Sequence, residues 1–208
     1  MNIDHKVAQL LVSRVCHDLA GGVSALSTGA ELLSEDKQMA DGAALDVIAM
    51  SAAQCASRLA FFRVAFGLGG GESDTITTDD LKKLLVDYLQ GGRIAVNWTA
   101  ENARIGLMSG KLLLGLCLIG AEALPRGGDL RIDVSEIGGR LGFAVFAQGT
   151  GAVLRPELKT ALSVDVAPDL LTARTVHGHF TVILAQSLDA EMEILADVPD
   201  EIRLAALL

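Results

Sequence analysis

Residues 7–33 read VAQLLVSRVCHDLAGGVSALSTGAELL, and this stretch decides the fold of the first part of the chain. Apolar and small residues recur in it at intervals of three and four. A helix has about 3.6 residues per turn, so this spacing places them on one side and predicts a buried stripe. The members of the stripe are Val7, Leu11, Val15, Leu19, Gly22, Leu26, Ala30 and Leu33.

His17 lies off this stripe, at roughly 150° from its centre if each residue turns the helix by about 100°. Ser13 and Arg14 lie one turn before it, and the small residues Ala20 and Gly21 lie one turn after it. We expect an open surface there, on which another protein can approach the imidazole. This arrangement suits a histidine that accepts a phosphoryl group. The alternative is a surface histidine without a role.

A second helix is predicted after the polar segment Ser34–Lys37, with a start near Asp41. Its apolar residues alternate spacings of three and four, as in coiled-coil heptads, so residues 1–66 are predicted to form a helical hairpin. One hairpin covers only part of each apolar stripe, and we expect a second copy of the chain to complete a four-helix bundle. Packing against the rest of the same chain is the alternative. The series is Leu45, Ile48, Ala52, Cys55, Leu59, Phe62 and Phe66.

Residues 67–74, GLGGGESD, interrupt every periodic pattern and have the composition of a flexible connection. They predict a linker between two domains. Phosphate-binding glycine loops follow a strand and often carry a lysine. These glycines follow a helix and have no basic residue beside them, which argues against a phosphate site.

Residues 75–208 alternate between helix and strand patterns. Thr78 or Asp79 would cap a helix that ends near Tyr88, and Gly138-Gly139 would turn a hairpin. A mixed sheet with helices on one face is expected, an α/β sandwich, which makes the whole chain α+β. Helices are predicted at 111–124 and 169–175, and strands at 94–99, 130–135, 141–147, 180–185 and 192–196.

Composition argues against several classes of protein. Half of the 208 residues are hydrophobic and the net charge is −9, which argues against disorder and against nucleic acid as a partner. The longest apolar run, 112–121, is shorter than the roughly 20 residues of a membrane span, and residues 1–6 lack a secretion signal. Three cysteines without metal-ligand spacing fit reduced thiols. We expect a cytoplasmic protein with no membrane or metal site.

Two segments carry a resemblance to a known family: Cys16-His17-Asp18-Leu19, and Glu-Ala-Leu-Pro-Arg-Gly-Gly at 122–128. With the order hairpin, linker and α/β domain, nearly the whole chain resembles the dimerisation and ATPase domains of sensor histidine kinases. It most resembles histidine phosphotransferases of the ChpT type. This implies a dimeric four-helix bundle followed by a degenerate histidine-kinase ATPase-like sandwich. The family tends to carry a proline at the position of Gly22, so a fixed kink is not expected here.

The same resemblance implies that ATP binding has been lost. Active kinases of this fold carry asparagines for Mg²⁺ and phosphates at positions that align with Gly115 and Ile119. In these kinases the strand that follows the helix ends in an Asp-x-Gly-x-Gly loop, whose carboxylate binds adenine. Residues 147–151 of this chain are instead Ala-Gln-Gly-Thr-Gly. Since the oxygen ligands for Mg²⁺ and the acceptor for the adenine amino group are missing, we expect a phosphotransferase without a nucleotide cofactor rather than an ATP-dependent kinase.

For such a phosphotransferase, the resemblance implies that His17 takes a phosphoryl group from the aspartate of one receiver domain and passes it to another. Asp18 would orient the ring or tune its basicity, and Arg14 would contact phosphoryl oxygens or form a salt bridge with Asp18. The expected partners are a second copy of the chain and receiver domains of a hybrid histidine kinase and of response regulators, which bring their own Mg²⁺. The alternatives are a non-catalytic dimeric protein that binds response regulators, and a divergent histidine kinase.

Two further features are weaker. His177-Gly178-His179 lacks nearby carboxylates or cysteines in the sequence, so a turn before a strand is favoured over a metal pair. Glu122 is expected to face solvent. The residues after Pro199 form a short amphipathic stretch with no assigned role.

Overall fold

The computed structural model describes residues 4–35, 42–67 and 74–208. Helices α1 (His5–Glu35) and α2 (Gly42–Ala65) form an antiparallel hairpin, as predicted. The helices come closest at two glycines of α1, where an added Cβ would lie 2.4 Å from Sγ of Cys55 at Gly22, and 2.7 Å from the Ile48 side chain at Gly29. Most of the predicted polar turn between the helices, and residues 68–73 of the predicted linker, lie outside the described residues.

The predicted stripe of α1 is buried to different degrees along the helix. Val7 and Leu11 are buried where they meet other elements of the chain, and Gly22 is buried against α2. Ala30 is exposed, which corrects its predicted place in the buried stripe. The remaining stripe residues are half-buried, namely Val15, Leu19, Leu26 and Leu33.

The rest of the described chain builds a five-stranded mixed sheet and a small two-stranded sheet. Along the chain the elements are β1 (Thr75–Thr77), α3 (Thr78–Leu89), β2 (Ile94–Trp98), β3 (Arg104–Gly106), α4 (Leu107–Glu122), β4 (Gly128–Ile137), β5 (Arg140–Gln148), α5 (Pro156–Ala161), a 3-10 turn (Pro168–Leu170), α6 (Val176–Ser187), β6 (Glu191–Leu195) and β7 (Glu201–Leu207).

The five-stranded sheet has the order β2-β4-β5-β7-β6. Strands β2 and β4 are parallel, and the other neighbours are antiparallel, so the predicted mixed sheet is confirmed. Gly138 and Gly139 have φ angles of 62° and 81°, a conformation that favours glycine and closes the β4–β5 hairpin as predicted.

Helix α4 lies at the centre of the core. Every residue from Gly110 to Ala121 is buried, because the sheet covers one side of the helix and α6, α3 and α2 cover the others. At Gly115 an added Cβ would lie 2.4 Å from Oγ1 of Thr181 on α6. A helix that is apolar on all sides needs such complete enclosure.

Aromatic rings join the hairpin to the sheet domain. Phe61, at the end of α2, is fully buried and stacks on Tyr88 of α3 with ring centroids 4.3 Å apart. Phe62 meets the edge of the same ring at 5.6 Å. Burial of one such phenylalanine contributes about 1.5–3 kcal/mol, so this junction holds the hairpin firmly against the rest of the chain.

Several predicted elements of the sheet domain are wrong in type or position. Thr77, not Thr78 or Asp79, caps α3, because its hydroxyl accepts a hydrogen bond from the main-chain N–H of Asp80 at 3.1 Å. Residues 180–185, predicted as a strand, lie in helix α6, and the helix predicted at 169–175 is reduced to the 3-10 turn. The stretch after Pro199 is strand β7 in the interior of the sheet.

Candidate functional site

His17 lies on the surface of α1, as predicted, and its side chain is 66% exposed. Its Nδ1 lies 3.1 Å from Oδ1 of Asp18, the next residue in the chain. None of the described residues forms a hydrogen bond with Nε2. If Nδ1 carries the proton and donates it to Asp18, the lone pair of Nε2 points outward and is available as a nucleophile.

Asp18 is held from two sides. Its Oδ2 accepts a hydrogen bond from Nε of Arg14 at 2.7 Å, so its two oxygens are divided between Arg14 and His17. Its main-chain carbonyl accepts a hydrogen bond from Arg58 of α2. The carboxylate beside His17 is therefore fixed by Arg14 of its own helix, and the second helix of the hairpin holds the main chain at the same residue.

Arg14 does not share the exposed surface of His17, because its side chain is only 8% exposed and points toward α4 and α6. Besides Asp18, its guanidinium donates to Oε1 of Glu122 at 2.5 Å and to the main-chain carbonyl of Arg174 at 3.2 Å. Burial alone would lower the pKa of Arg14, but the charges of Glu122 and Asp18 outweigh it and raise the pKa above its usual range. Two roles were predicted for Arg14, a contact with phosphoryl oxygens or a salt bridge with Asp18. The structure contains the salt bridge.

Glu122, at the end of α4, is directed inward rather than to solvent, which corrects the sequence prediction. Its side chain is 15% exposed. One oxygen accepts from Arg14, and the other lies 3.2 Å from Nη2 of Arg155 and 3.6 Å from Nε2 of His177. Glu122 therefore connects α1 with α6 and with the segment before α5.

His177 is fully buried in α6 and is not part of a turn. Burial lowers its pKa well below the usual value, and the positive charges of Arg14 and Arg155 lower it further. The ring is therefore neutral, and its Nδ1 lies 3.1 Å from Nη1 of Arg14, which donates. This leaves the proton on Nε2, which faces Glu122 and is otherwise unpartnered among the described residues.

His179, the second histidine of the predicted metal pair, has a separate role in the packing of the domain. It is buried, and its Nδ1 lies 3.1 Å from the carbonyl oxygen of Ser163. Among the described residues, no group of three or more His, Cys, Asp or Glu side chains is arranged to hold a metal ion.

We call Arg14, Asp18, Glu122, Arg155 and His177 the Arg14 cluster. Two cations, two carboxylates and a neutral imidazole leave it without net charge, which is how buried ionic groups are tolerated. Beside the cluster a cleft of about 570 Å³ opens between α1 and the sheet domain, with His17 and Arg174 among its lining residues. Arg174 is exposed and lies outside the neutral cluster, so it gives this cleft a net positive charge.

The sequence predicts His17, Asp18 and Arg14 as site residues, whereas the structure adds Glu122, His177 and Arg155. The burial of Arg14 is predictable from the sequence, because this residue continues the spacing of Val7 and Leu11 and so lies on the inward side of α1. A charged residue on an inward side needs a partner of opposite charge. Local spacing alone does not indicate that this partner is Glu122, 108 residues later.

The fold and the site define a class: an α+β protein in which a helical hairpin presents an exposed histidine beside an α/β sandwich. Residues 78–200 match the family model of the histidine phosphotransferase C-terminal domain. The protein phosphotransferase ChpT of Brucella abortus (strain 2308) is 33% identical over 195 residues, which cover 92% of this chain and 90% of that protein. This chain belongs to the histidine phosphotransferase family.

A solved structure of a bacterial phosphotransferase agrees with this assignment. A bacterial phosphotransferase is 28% identical with a TM-score of 0.86, and the match covers 99% of this chain and 98% of that one. The Acinetobacter baumannii histidine kinase AdeS matches at 11% identity and a TM-score of 0.49 over 92% of this chain and 96% of that one.

Proposed function

We propose that this chain shuttles a phosphoryl group between the aspartates of receiver domains in a two-component phosphorelay, with His17 as the carrier. The observation that carries this proposal is the arrangement of the His17 ring. Its Nδ1 is engaged by Asp18 at 3.1 Å, and its exposed edge faces a positively charged cleft. Membership of the histidine phosphotransferase family supports the same chemistry.

The transfer step follows from the state of the ring. The lone pair of Nε2 attacks phosphorus in line with the bond to the receiver aspartate, a new N–P bond forms, and the P–O bond breaks to release the aspartate as a carboxylate. No proton needs to leave His17. The phosphorylated ring keeps its Nδ1 proton and becomes a cation, which the carboxylate of Asp18 stabilises. The reverse of these steps returns the phosphoryl group to a second receiver.

The residues around His17 have supporting roles. Asp18 orients the ring through Nδ1, and Arg14 orients Asp18 through the 2.7 Å hydrogen bond. The donors of the Arg14 guanidinium are directed at groups within the chain, so the exposed Arg155 and Arg174 at the cleft are better placed to meet an incoming anion. We expect each receiver domain to bring its own Mg²⁺, which neutralises phosphoryl charge during transfer.

We propose that the transfer does not involve ATP on this chain. The residues that align with the phosphate and Mg²⁺ ligands of kinases, Gly115 and Ile119, are both fully enclosed. Gly115 lies against Thr181 of α6, so α6 occupies the space in front of that part of α4. This packing supports a phosphotransferase over a divergent kinase.

We propose that the chain acts as a homodimer through its hairpin. Leu45, Ala52 and Leu59 follow one another at intervals of seven and form an exposed row on α2. Helical periodicity places Val12 and Val23 of α1 on the same side of the hairpin, away from α4 and His17 on the opposite side. A second copy that covers this face would complete a four-helix bundle and leave both His17 rings open.

Helix α2 is long and apolar enough to cross a membrane by length and composition alone. We interpret its exposed apolar residues as a protein contact surface instead. Arg58 of α2 donates a hydrogen bond to the main-chain carbonyl of Asp18, and Phe61 and Phe62 lie in the core. The helix therefore packs against other elements of the chain. A cytoplasmic location is part of the proposal.

The proposal is tested by incubating the chain with a receiver domain that carries a ³²P-labelled aspartyl phosphate. We expect acid-labile, base-stable label on this chain, which is the behaviour of phosphohistidine. Label that appears with ATP alone would indicate a kinase. Stable binding of the receiver without any label would indicate the non-catalytic binding protein.

A further inference from the structure

We infer that Glu122 is a positioning residue for His17, acting across the boundary between the sheet domain and the hairpin through Arg14 and Asp18. This inference rests on the proposed function of His17. The partners of the Glu122 carboxylate are Arg14, Arg155 and His177, not the imidazole of His17. The influence of Glu122 on the reaction passes through two hydrogen-bonded side chains.

The first link joins Glu122 to Arg14. Oε1 of Glu122 lies 2.5 Å from Nη2 of Arg14, and both side chains are at most 15% exposed. An ion pair shielded from water is screened less than one on the surface, so it fixes the orientation of the guanidinium. Two further acceptors from α6 and the segment before it, Nδ1 of His177 and the carbonyl of Arg174, hold Nη1.

The second link joins Arg14 to Asp18. With Nη1 and Nη2 directed at the sheet domain, Nε is left to face α1, where it donates to Oδ2 of Asp18 at 2.7 Å. The planar guanidinium has a fixed fork of donors, so the position of Nη2 determines that of Nε. Asp18 then presents Oδ1 to Nδ1 of His17.

The third link sets the tautomer of His17. A neutral imidazole carries its proton on either nitrogen, and the choice depends on the hydrogen bond that the other nitrogen makes. An acceptor fixed at Nδ1 favours the Nδ1–H form, which leaves a lone pair on Nε2. Without that acceptor, an exposed imidazole in water favours the Nε2–H form, whose Nε2 has no lone pair for attack.

Glu122 itself is held by the remaining members of the Arg14 cluster. Its Oε2 lies 3.2 Å from Arg155, and the N–H of the buried His177 faces the same oxygen at 3.6 Å. These contacts come from α6 and from the segment before α5, so the geometry at His17 depends on the folded sheet domain.

The test uses the full-length chain with ¹⁵N-labelled histidine and the variants Glu122→Gln and Glu122→Asp. The first removes the charge. The second keeps the cluster neutral, so it preserves the charge balance of the fold, but its carboxylate ends one carbon–carbon bond short of Arg14. Glu191→Gln is the matched control, because it removes a surface ion pair with Arg140 in the same domain, far from the cluster.

Two readouts are compared. Ring ¹⁵N shifts at about pH 8.5, where ordinary imidazoles are neutral, report the tautomer of His17 without any transfer reaction. The initial rate of labelling from a phosphorylated receiver reports the chemistry. We expect both Glu122 variants to shift His17 toward the Nε2–H tautomer and to slow labelling by about 10- to 100-fold, with Glu122→Asp the milder, while Glu191→Gln matches the wild type.

The outcomes separate this inference from the proposed function. If the wild type takes up no phosphate but the tautomer shifts in the variants, the proposed function fails and the structural link stands. If the folded variants keep the wild-type tautomer, the positioning role is wrong, whatever happens to the rate. A shifted tautomer with an unchanged rate also overturns it.

Discussion

Oε1 of Glu122 lies 2.5 Å from Nη2 of Arg14, and this ion pair joins two positions that are 108 residues apart in the chain. Arg14 precedes His17 by less than one turn of α1, whereas Glu122 ends the central helix of the sheet domain. The surroundings of the candidate phosphate carrier are therefore built from both parts of the chain. The α/β sandwich is more than an attachment to the hairpin.

Replacement of His17 by glutamine should abolish phosphoryl uptake and leave the fold unchanged. The side chain is 66% exposed, and exposed polar exchanges usually change the free energy of unfolding by no more than about 0.5 kcal/mol. Urea unfolding checks the stability, and labelling by a phosphorylated receiver checks the function. Acid-labile label on the variant at the wild-type rate would show that another residue is the carrier.

The variant Ala52→Asp should convert the dimer into a folded monomer. Ala52 is exposed in the single chain, so the new carboxylate disturbs no internal contact, but in a bundle it would be buried without a partner. Ala43→Asp is the matched control, because Ala43 lies on about the opposite side of α2 and is also exposed. Light scattering at micromolar concentration gives the masses. A monomeric wild type would contradict the proposed dimer.

Titration calorimetry with ATP and Mg²⁺ should give no binding heat. Ile119 is fully buried, and an added Cβ at Gly115 would lie 2.4 Å from Thr181 Oγ1, so neither position offers a ligand to a phosphate or a metal ion. A receiver domain serves as the positive control for the same preparation. Micromolar affinity for ATP would contradict this prediction and favour a divergent histidine kinase.

Acid should destabilise the protein partly through His177. Burial, Arg14 and Arg155 hold its pKa in the folded state well below the ordinary value of 6.5, although Glu122 faces the same ring. As the pH falls through about 6.5, His177 becomes protonated in the unfolded chain but stays neutral in the folded chain. The free energy of unfolding therefore decreases, by up to about 1.4 kcal/mol per pH unit from this group.

The variant His177→Asn isolates this contribution, because its amide oxygen can still accept from Arg14 but does not titrate. Urea unfolding from pH 7 to pH 5 should show a shallower loss of stability in this variant than in the wild type. Equal slopes for His177→Asn and the wild type would mean that the pKa of His177 is the same in the folded and unfolded states, which would contradict this prediction.

Much of the fold is predictable from local patterns. The spacing of apolar residues at three and four predicts the helical hairpin, and two adjacent glycines predict the β4–β5 turn. The exposure of His17 also follows from helix periodicity. These features depend on residues that are close in sequence, where the geometry of helices and turns applies directly.

The errors come from elements whose surroundings are distant in sequence. Helix α6 is enclosed on most sides, so it lacks an amphipathic period, and its β-branched residues Thr181, Val182 and Ile183 favour a strand. The residues near Glu122 in the sequence do not indicate that it pairs with the buried Arg14. Strand β7 does have a local signal, since Ile202, Leu204 and Ala206 alternate with half-exposed residues at the period of two that is typical of a strand.

The order of strands in the sheet has a consequence for the folding kinetics. In the described part of the chain, β6 pairs with β7 alone, and β7 pairs with β5 across more than 50 residues, as in Gln148 with Glu201. The β4–β5 hairpin is local and can form early, whereas closure of the long loop before β7 is slow. Strands β6 and β7 should therefore gain protection from amide hydrogen exchange later than β4 and β5 during refolding.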